Sequence, residues 1–406
     1  MSETTARAPA APIRTHSTVF IILFAVGFCH ALNDMMQSLL QAIYPNLKAT
    51  FDLDFAHIGL VTAVFQVTAS LLQPLVGAYT DRRAVPYALP LGMVFTFIGL
   101  ICLAIAPNYP LLLAAAALVG VGSSTFHPES SRVAYLAAGP RRGLAQSMFQ
   151  TGGSTGGALG PLLAALAIRP GEREGIIWFS GAALLAIYIL WRVGEWYRVN
   201  RTTRAPSHGH IHMTTALTPA RVKWTLAILV LLIFSKFVYM ASISSYFTFY
   251  LIHKFHVSVP VAQLHLFLFQ AAVAVGTICG GPLGDRFGRK YLIWFSILGT
   301  LPFALALPFA NLFWTGVFSV GAGLVLASAF PAIVVYGQEL LPGRVGTISG
   351  LFFGLSFGMG GLGAAALGVL ADHTGIALVY NVCAFLPLIG LLAAFLPNLK
   401  APQSKA

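Results

Sequence analysis

The first long apolar run of the sequence carries polar side chains that could bind a proton or a polar solute. They are His30, Asn33, Asp34, Gln37 and Gln41. At about 100° per residue, an α-helix would place all of them within an arc of roughly 100°. A carboxylate such as Asp34 at the centre of a membrane costs about 2.5–3.5 kcal/mol on insertion scales. We therefore expect the stripe to face a cavity or another helix, with Asp34 protonated or paired with a cation. The alternative is a structural hydrogen-bond cluster within one half of the protein.

A second apolar run contains an imidazole, an acid and a base in one short stretch, at His127, Glu129 and Arg132. Glu129 and Arg132 are three residues apart and can pair on one helix face. His127 lies about 200° around the helix from Glu129 and so faces a different environment. Such a combination inside a membrane segment predicts a proton relay. The alternative is a neutral Glu129–Arg132 pair that clamps neighbouring helices.

The second half of the chain carries a lysine in the middle of an apolar run. Lys236 would share one helix face with Tyr239 and Tyr246, and it lies too far from either end of the run for its ammonium group to reach the membrane surface. A cation beside tyrosines suits an anionic ligand. Other polar residues in apolar runs are further candidates for a cavity wall, and they are Gln66, Gln73, Gln146, Gln150, His265 and Gln270.

The elements that must position these residues are transmembrane helices. The chain of 406 residues is 57% hydrophobic and only 9% charged, and its mean hydropathy is +0.80, whereas soluble domains carry about 25% charged residues. A spanning helix needs about 20 mainly apolar residues and satisfies its own backbone hydrogen bonds. We therefore predict an all-α integral membrane protein with twelve spans, at 19–45, 57–80, 86–106, 109–138, 142–168, 175–196, 223–251, 260–283, 290–309, 312–340, 345–371 and 374–396.

A polar, arginine-containing segment separates six spans from six and predicts two pseudo-symmetric six-helix bundles. The predicted divisions are a cytoplasmic N-terminal tail at 1–18, a bundle at 19–196, a cytoplasmic linker at 197–222, a bundle at 223–396 and a C-terminal tail at 397–406. Most of the 24 lysines and arginines fall in the tails, the linker and alternate loops, so the positive-inside rule places both termini in the cytoplasm.

The charge and cysteine content argue against two other kinds of site. The net charge of +12 reflects this topology and not a nucleic-acid-binding patch, because the basic residues are scattered over many short loops. The four cysteines all lie in apolar runs without metal or disulfide spacing. We predict neither a metal nor a cofactor.

A short phrase recurs at the same place in both halves. Asp81 and Arg82 in the first copy correspond to Asp285 and Arg286 in the second. Aspartate can cap a helix N-terminus or bind arginine. We predict that these four residues form a gate on the cytoplasmic side, the alternative being that the arginines only set the topology.

Glycines and prolines inside the spans predict close contacts and bends. The fifth and eleventh spans carry glycines at four-residue spacing, which lets helix backbones approach closely. Either a rocking contact between the halves or ordinary tight packing is consistent with this pattern. Each internal proline frees a backbone carbonyl group four residues earlier, as Pro331 does at Ala327.

The chain resembles the major facilitator superfamily throughout, and within it the fosmidomycin resistance transporters. The phrases that carry the resemblance run from His30 to Ser38, from Val121 to Arg132, from Gly143 to Gln150, from Phe234 to Tyr246 and from Gln338 to Arg344. The resemblance implies proton-driven export of fosmidomycin, an anionic phosphonate antibiotic, across the bacterial inner membrane. The first copy of the repeated phrase lacks the Gly-Arg-Lys ending of the second, so the two copies are expected to contribute unequally to gating.

These observations together predict a monomeric drug/proton antiporter that works by rocker-switch alternating access. The expected proton-coupling residues are Asp34, Glu129, His127 and His30. The expected substrate-binding residues are Arg132, Lys236, Asn33, Gln37, Gln150, Tyr239 and Tyr246. The main alternative is an uptake symporter or facilitator for a small anion on the same fold. A pump for amphipathic cations is disfavoured by the two buried cations, and an enzyme or sensor by the lack of a nucleophile constellation or soluble domain.

Overall fold

The computed structural model describes residues 17–42, 47, 50–53, 55–167, 174–204, 217–257 and 259–399. Within these residues every regular element is a helix, and none is a strand. The prediction of an all-α membrane protein is therefore confirmed. Eleven helical segments of the described residues are long and apolar enough to cross a membrane. The predicted fifth span is also a helix, of 26 residues.

The first six helices follow the predicted spans closely. They are α1 (Phe20–Ala42), α2 (Phe55–Arg82), α3 (Ala88–Ile105), α4 (Tyr109–Ala137), α5 (Arg142–Ala167) and α6 (Ser180–Arg204), the last preceded by a 3-10 turn at Glu174–Phe179. The start of α4 shows why. The Asn108 side chain accepts the Leu111 N–H at 3.0 Å, and a proline occupies the first turn, where its missing N–H costs nothing.

The second set of helices is more interrupted than predicted. It comprises α7 (Pro219–Phe255), α8 (Val259–Phe287), α9 (Arg289–Leu298), α10 (Leu301–Ala306), α11 (Leu312–Ala327), α12 (Ala329–Leu340), α13 (Val345–Thr374) and α14 (Ile376–Cys383), with a 3-10 helix at Leu386–Phe395. The predicted tenth span breaks at Ser328, between α11 and α12. Pro331 explains this break, since it cannot donate to the carbonyl group of Ala327.

Helices extend into the predicted linker at both of its ends. Helix α6 continues to Arg204, and α7 begins at Pro219. Thr218 caps α7 by accepting the Arg221 N–H at 3.3 Å, a contact that polar composition alone does not reveal. Residues 205–216 of the linker lie outside the described part of the chain.

The two halves meet mainly through two helix pairs, α2 with α13 and α5 with α8, and also where α4 contacts α13 and α5 contacts α12. At the two main contacts, glycine backbones lie too close for a side chain. A Cβ atom on Gly77 would collide with the backbone of Gly346, and one on Gly143 would collide with that of Gly281. Gly346, Gly350 and Gly354 of α13 thus serve the contact between halves.

The glycines of α5 at four-residue spacing serve a different contact. Added Cβ atoms on Gly152 and Gly156 would collide with the carbonyl groups of Gly27 and Ala31 on α1. This stripe therefore packs two helices of the same half. Of the two interpretations left open by the sequence, tight packing describes the stripe of α5 and a contact between halves describes that of α13.

Candidate functional site

A cavity of about 220 Å³ lies between the two halves. Its wall on the first half is polar and includes His30, Asp34 and Gln150. Its wall on the second half is mainly aromatic and apolar, with Lys236 as its charged residue among those described. A small cavity with one apolar wall and a few convergent polar groups is typical of a small-molecule site.

The polar wall is organised around the carboxylate of Asp34. His30 Nε2 lies 3.2 Å from Asp34 Oδ2, one helical turn away on α1. His127 Nε2 reaches from α4 to within 3.4 Å of Asp34 Oδ1. Both imidazole side chains are buried, whereas the Asp34 side chain is 19% exposed. Asp34 therefore connects two buried rings to the cavity.

Backbone carbonyl groups fix the orientation of both imidazole rings. His30 Nδ1 lies 2.7 Å from the Phe149 carbonyl oxygen on α5, and His127 Nδ1 lies 2.9 Å from that of Ser123. A carbonyl oxygen only accepts hydrogen bonds, so each Nδ1 must carry the hydrogen. Each Nε2 then turns toward the Asp34 carboxylate, where a stable contact requires a proton on the ring or on the acid. Each of these two contacts thus requires a proton between the ring and the acid.

Amide side chains complete the surroundings of Asp34. Asn33 Nδ2 and Gln37 Nε2 donate to Asp34 Oδ1 at 3.0 and 3.3 Å. Gln37 Oε1 in turn accepts the Ser123 hydroxyl group at 3.0 Å. The polar stripe of α1 therefore faces α4 and the cavity, as expected, and the side chain of Gln41 lies outside the described part of the structure.

The same cluster also presents three atoms that could ligate a metal. The relevant nitrogen and oxygen atoms of His30, Asp34 and His127 all lie within 4.8 Å of one another. A closed structural zinc site uses four protein ligands, one more than this cluster offers.

Lys236 stands on the opposite wall without a carboxylate partner. It is only 4% exposed, and among the described residues no acidic side chain or carbonyl group lies within hydrogen-bonding distance of its ammonium group. The nitrogen instead lies 5.1 Å from the ring centre of Phe237 and 5.0 Å from that of Phe330. These aromatic faces stabilise a cation weakly, by about 0.5–2 kcal/mol each. The ammonium group of Lys236 therefore has no competing acidic partner among the described residues when an anion enters the cavity.

Several predicted substrate residues do not line the cavity. Tyr239 is buried within the second half. Tyr246 donates its hydroxyl group to the Ala364 carbonyl oxygen at 2.5 Å. Arg132 points away from the cavity, binding Asp81 and the carbonyl group of Thr80. Helical spacing placed these side chains on plausible faces but could not show which neighbour each face meets.

Arg132 forms an ion-pair chain with two acids. Its Nε lies 3.6 Å from Glu129 Oε1, and its terminal nitrogen binds the Asp81 carboxylate. Glu129 thus faces the Asp81 end of the molecule while His127 faces Asp34, which agrees with their angular separation on α4. Glu129 lies apart from the Asp34 cluster, so its predicted part in proton coupling would have to act through Arg132.

Asp81 joins the two halves at a helix N-terminus. Its carboxylate accepts the backbone N–H groups of Gly346 at 2.9 Å and Thr347 at 2.7 Å, and the Thr347 hydroxyl group at 2.5 Å. These N–H groups belong to the first turn of α13, where no intrahelical acceptor exists and the helix dipole favours negative charge. The first half thereby caps a helix of the second.

Asp285 makes the reciprocal contact. Its carboxylate accepts the N–H groups of Gly143 at 3.0 Å and Leu144 at 3.1 Å, in the first turn of α5. Arg142 adds an ion pair across the halves with Glu339 Oε1 at 3.1 Å, and Arg289 contacts both Asp285 and Glu339. We call this set of contacts at Asp81 and Asp285 the gate, after the role that the sequence predicts for these two residues.

The arginines next to the two aspartates are not part of the gate contacts. Among the described residues, Arg82 and Arg286 form no ion pair. Arg82 lines a second cavity together with Asp81, Arg344 and Thr347, and Arg286 lies over the Phe287 ring at 5.3 Å. Arg132 and Arg289 contact the aspartates instead. Arg132 lies on another helix, and Arg289 lies in the Gly-Arg-Lys ending that only the second copy carries, so neither contact follows from the part of the phrase that both copies share.

A buried hydrogen-bond chain lies between the gate and the cavity. Gln338 Nε2 donates to the hydroxyl groups of Ser131 at 3.0 Å and Ser349 at 2.9 Å. Ser131 donates to Gln146 Oε1 at 3.0 Å. All these side chains are buried, and the chain crosses from one half to the other. The sequence suggested Gln146 only as a candidate cavity residue and did not indicate Gln338 or the serines as a contact between halves.

Comparisons with known proteins agree with this architecture. The family model described as Major Facilitator Superfamily matches residues 26–353 and 232–406. The chain is 57% identical over 382 residues, covering 94% of each chain, to a protein of Escherichia coli (strain K12) named fosmidomycin resistance protein. It is 42% identical over 386 residues, again covering 94% of each, to the uncharacterized transporter YfnC of Bacillus subtilis (strain 168).

A solved structure shows the same fold at low sequence identity. The transporter FucP in the outward conformation aligns with a TM-score of 0.73 at 15% identity, over 93% of this chain and 98% of that chain. The chain therefore belongs to the major facilitator superfamily of membrane transporters, and within it to the family of the fosmidomycin resistance protein. It is a transporter and not an enzyme.

Proposed function

We propose that this protein exports a small anion, fosmidomycin or a related compound, from the bacterial cytoplasm in exchange for protons. The observation that carries the proposal is the division of one cavity between an unpaired lysine and a proton-holding cluster, Lys236 on one wall and Asp34 with two imidazoles on the other. The name of the Escherichia coli relative suggests the substrate.

Lys236 is the proposed anchor for the anion. A hydrogen bond to a charged group contributes about 1.5–3 kcal/mol, and Lys236 makes none with the described residues in this state. The surrounding aromatic rings keep water away from the ammonium group and leave room for a compact apolar body. Gln150 lines the same cavity, and its side-chain nitrogen is buried without a protein acceptor, so it can donate to the same ligand.

His30, Asp34 and His127 are the proposed proton-coupling residues, with Asn33 and Gln37 holding the carboxylate in place. Antiport requires that the cavity reorients with either the anion or the protons bound, but not with both. The gate contacts would close the cytoplasmic side while the cavity faces outward, and both termini would lie in the cytoplasm as the positive-inside rule predicts.

A proton–anion symporter is the second candidate, and the charges of the cavity favour it. Protonation of the Asp34 cluster adds positive charge to the cavity that an anion would enter, so the two ligands attract each other electrostatically. In a symporter both would cross together. The direction of substrate movement under a proton gradient separates the two functions.

The test uses proteoliposomes loaded with radiolabelled fosmidomycin and diluted into acidic or neutral buffer. Antiport predicts faster efflux into the acidic buffer, and symport predicts slower efflux. Asp34→Asn should remove the dependence on the gradient, while Glu195→Gln, which alters an exposed pair with Arg192, should retain it. Absence of fosmidomycin movement, with another anion transported, would reject the substrate but keep the class.

A further inference from the structure

The floor of the cavity is formed by an aromatic side chain of the second half that contacts the proton cluster of the first. The Phe353 ring on α13 lies 5.4 Å from the His127 ring and 5.8 Å from the Phe149 ring. Phe149 stacks on His30 at 4.0 Å. One residue of the second half therefore contacts the His127 imidazole directly and reaches His30 only through the Phe149 ring.

The same ring also reaches the lysine side of the cavity. Phe353 lies 5.5 Å from the Phe330 ring, whose face holds the Lys236 ammonium group at 5.0 Å. Phe357, one turn further along α13, lies 5.3 Å from the His127 ring. Phe353 is only 2% exposed and lines the cavity where its two walls meet.

Phe353 stands between the cavity and the gate. It lies six to seven residues beyond Gly346 and Thr347, or about 9–10 Å along α13 at 1.5 Å per residue. The buried Gln338 chain lies on the gate side of this ring, through Ser349 on the preceding turn. Ser356 and Phe357 on the next turn line the cavity.

The Asp34 and His127 side chains of the proton cluster therefore differ in their access to water. The Asp34 side chain is 19% exposed, and the His127 side chain is 0% exposed. His127 faces Asp34 and His30 from α1 and aromatic rings from α13, while Lys236 lies across the cavity and Glu129 and Arg132 face the gate. In this state water in the cavity reaches the acid but not the imidazole of α4.

We infer that Phe353, supported by Phe357, is a proton seal that makes exchange at the Asp34 cluster one-sided. While the gate is closed, a proton from cavity water binds Asp34 or His30 and passes to His127 Nε2, where it is held. When the gate opens, the second half withdraws Phe353 from His127, and the proton leaves from that nitrogen to water on the other side. The inference rests on the proposed proton coupling, but not on the direction of substrate movement.

The experiment measures passive proton entry without substrate, in proteoliposomes that contain a trapped pH-sensitive dye and have the membrane potential clamped. The full-length wild type is compared with Phe353→Ala, Phe353→Val and Phe353→Leu. We expect a leak that increases as the side chain shrinks, with Leu close to wild type. Combining Phe353→Ala with Asp34→Asn should abolish the additional leak, because the path runs through the cluster.

The matched control is Phe352→Ala on the same helix. Phe352 is fully buried and packs against Gly337 within the second half, so its truncation tests general loosening of α13. Substrate exchange, measured in parallel, shows that each variant is folded, and the Val variant carries the test where Ala does not fold.

Three outcomes would overturn the seal. The first is a wild-type leak rate in a Phe353 variant that still exchanges substrate, and this leaves the proposed function intact. The second is an equal leak in Phe352→Ala. The third is a wild-type protein whose substrate movement never responds to protons, which would overturn the proposed coupling as well.

Discussion

Asp81 accepts the backbone N–H of Gly346 at 2.9 Å, although the two residues are separated by 265 positions in the chain. The contact works because Asp81 ends one helix of the first half and Gly346 begins one of the second. Asp285 and Gly143 repeat it at 3.0 Å with the roles of the halves exchanged. Each half thus caps a helix of the other, and both caps are lost if the halves separate at this end.

Neutralising Asp81 should favour the state in which the gate is open. Asp81→Asn removes a charge worth about 0.3–1 kcal/mol at a helix N-terminus and leaves Arg132 without its nearest acid. We expect faster labelling by an impermeant thiol reagent at a cysteine introduced for Ser131, in a background without native cysteines.

The matched control is Arg82→Gln in the same background. Because Arg82 forms no ion pair among the described residues, the labelling rate should stay unchanged. An equal increase in the labelling rate for both substitutions would mean that the total charge of this loop controls opening. The cap that Asp81 forms on α13 would then not be responsible.

Removing the buried amide of Gln338 should weaken closure without affecting anion binding. Gln338→Leu deletes two hydrogen bonds worth about 0.5–1.5 kcal/mol each, and one of them crosses between halves. Because Ser131 is itself a partner of Gln338, the opening is measured here as the distance between spin labels on α2 and α13. An unchanged distance distribution would mean that the buried hydrogen-bond chain of Gln338 contributes only to local packing and not to closure.

Replacing Lys236 should lower the affinity for the anion without lowering the stability of the protein. Lys236→Met should weaken anion binding by roughly tenfold to a hundredfold, the equivalent of one charge-assisted hydrogen bond at about 1.5–3 kcal/mol. The melting temperature should stay equal or rise, because a buried charge without a partner is unfavourable. Titration of the purified protein with fosmidomycin and a thermal scan measure the two quantities, and Lys236→Arg serves as the variant that keeps the charge. An unchanged anion affinity in Lys236→Met would show that Lys236 does not bind the anion.

Two neighbouring glycines of α5 should respond oppositely to alanine. A Cβ atom on Gly156 would collide with the Ala31 backbone, whereas one on Gly157 meets nothing within 4 Å. We expect Gly156→Ala to destabilise the protein by about 1–3 kcal/mol through overpacking. Gly157→Ala should be neutral or stabilise it by up to about 1 kcal/mol through helix propensity. Thermal unfolding of the two variants in the same detergent checks both expectations, and similar melting temperatures would contradict the packing of α1 on α5.

The sequence alone determined the class of this protein, because a bilayer imposes strong local constraints. Apolar runs of sufficient length have to be helices, and the polar stripe with Asp34 had to avoid lipid. Periodicity also separated His127 from Glu129 and joined Glu129 to Arg132. These properties depend on residues a few positions apart.

Only the tertiary structure decided which distant residues meet. It brought His127 to Asp34, Asp81 to the first turn of α13, and Gln338 to Ser131, and it took Arg132 and Tyr239 away from the cavity. It also placed Phe353, one of 30 phenylalanines, at the junction of the two cavity walls. Such contacts depend on how helices rotate and cross in packing, and the spacing of residues within a single helix does not contain that information.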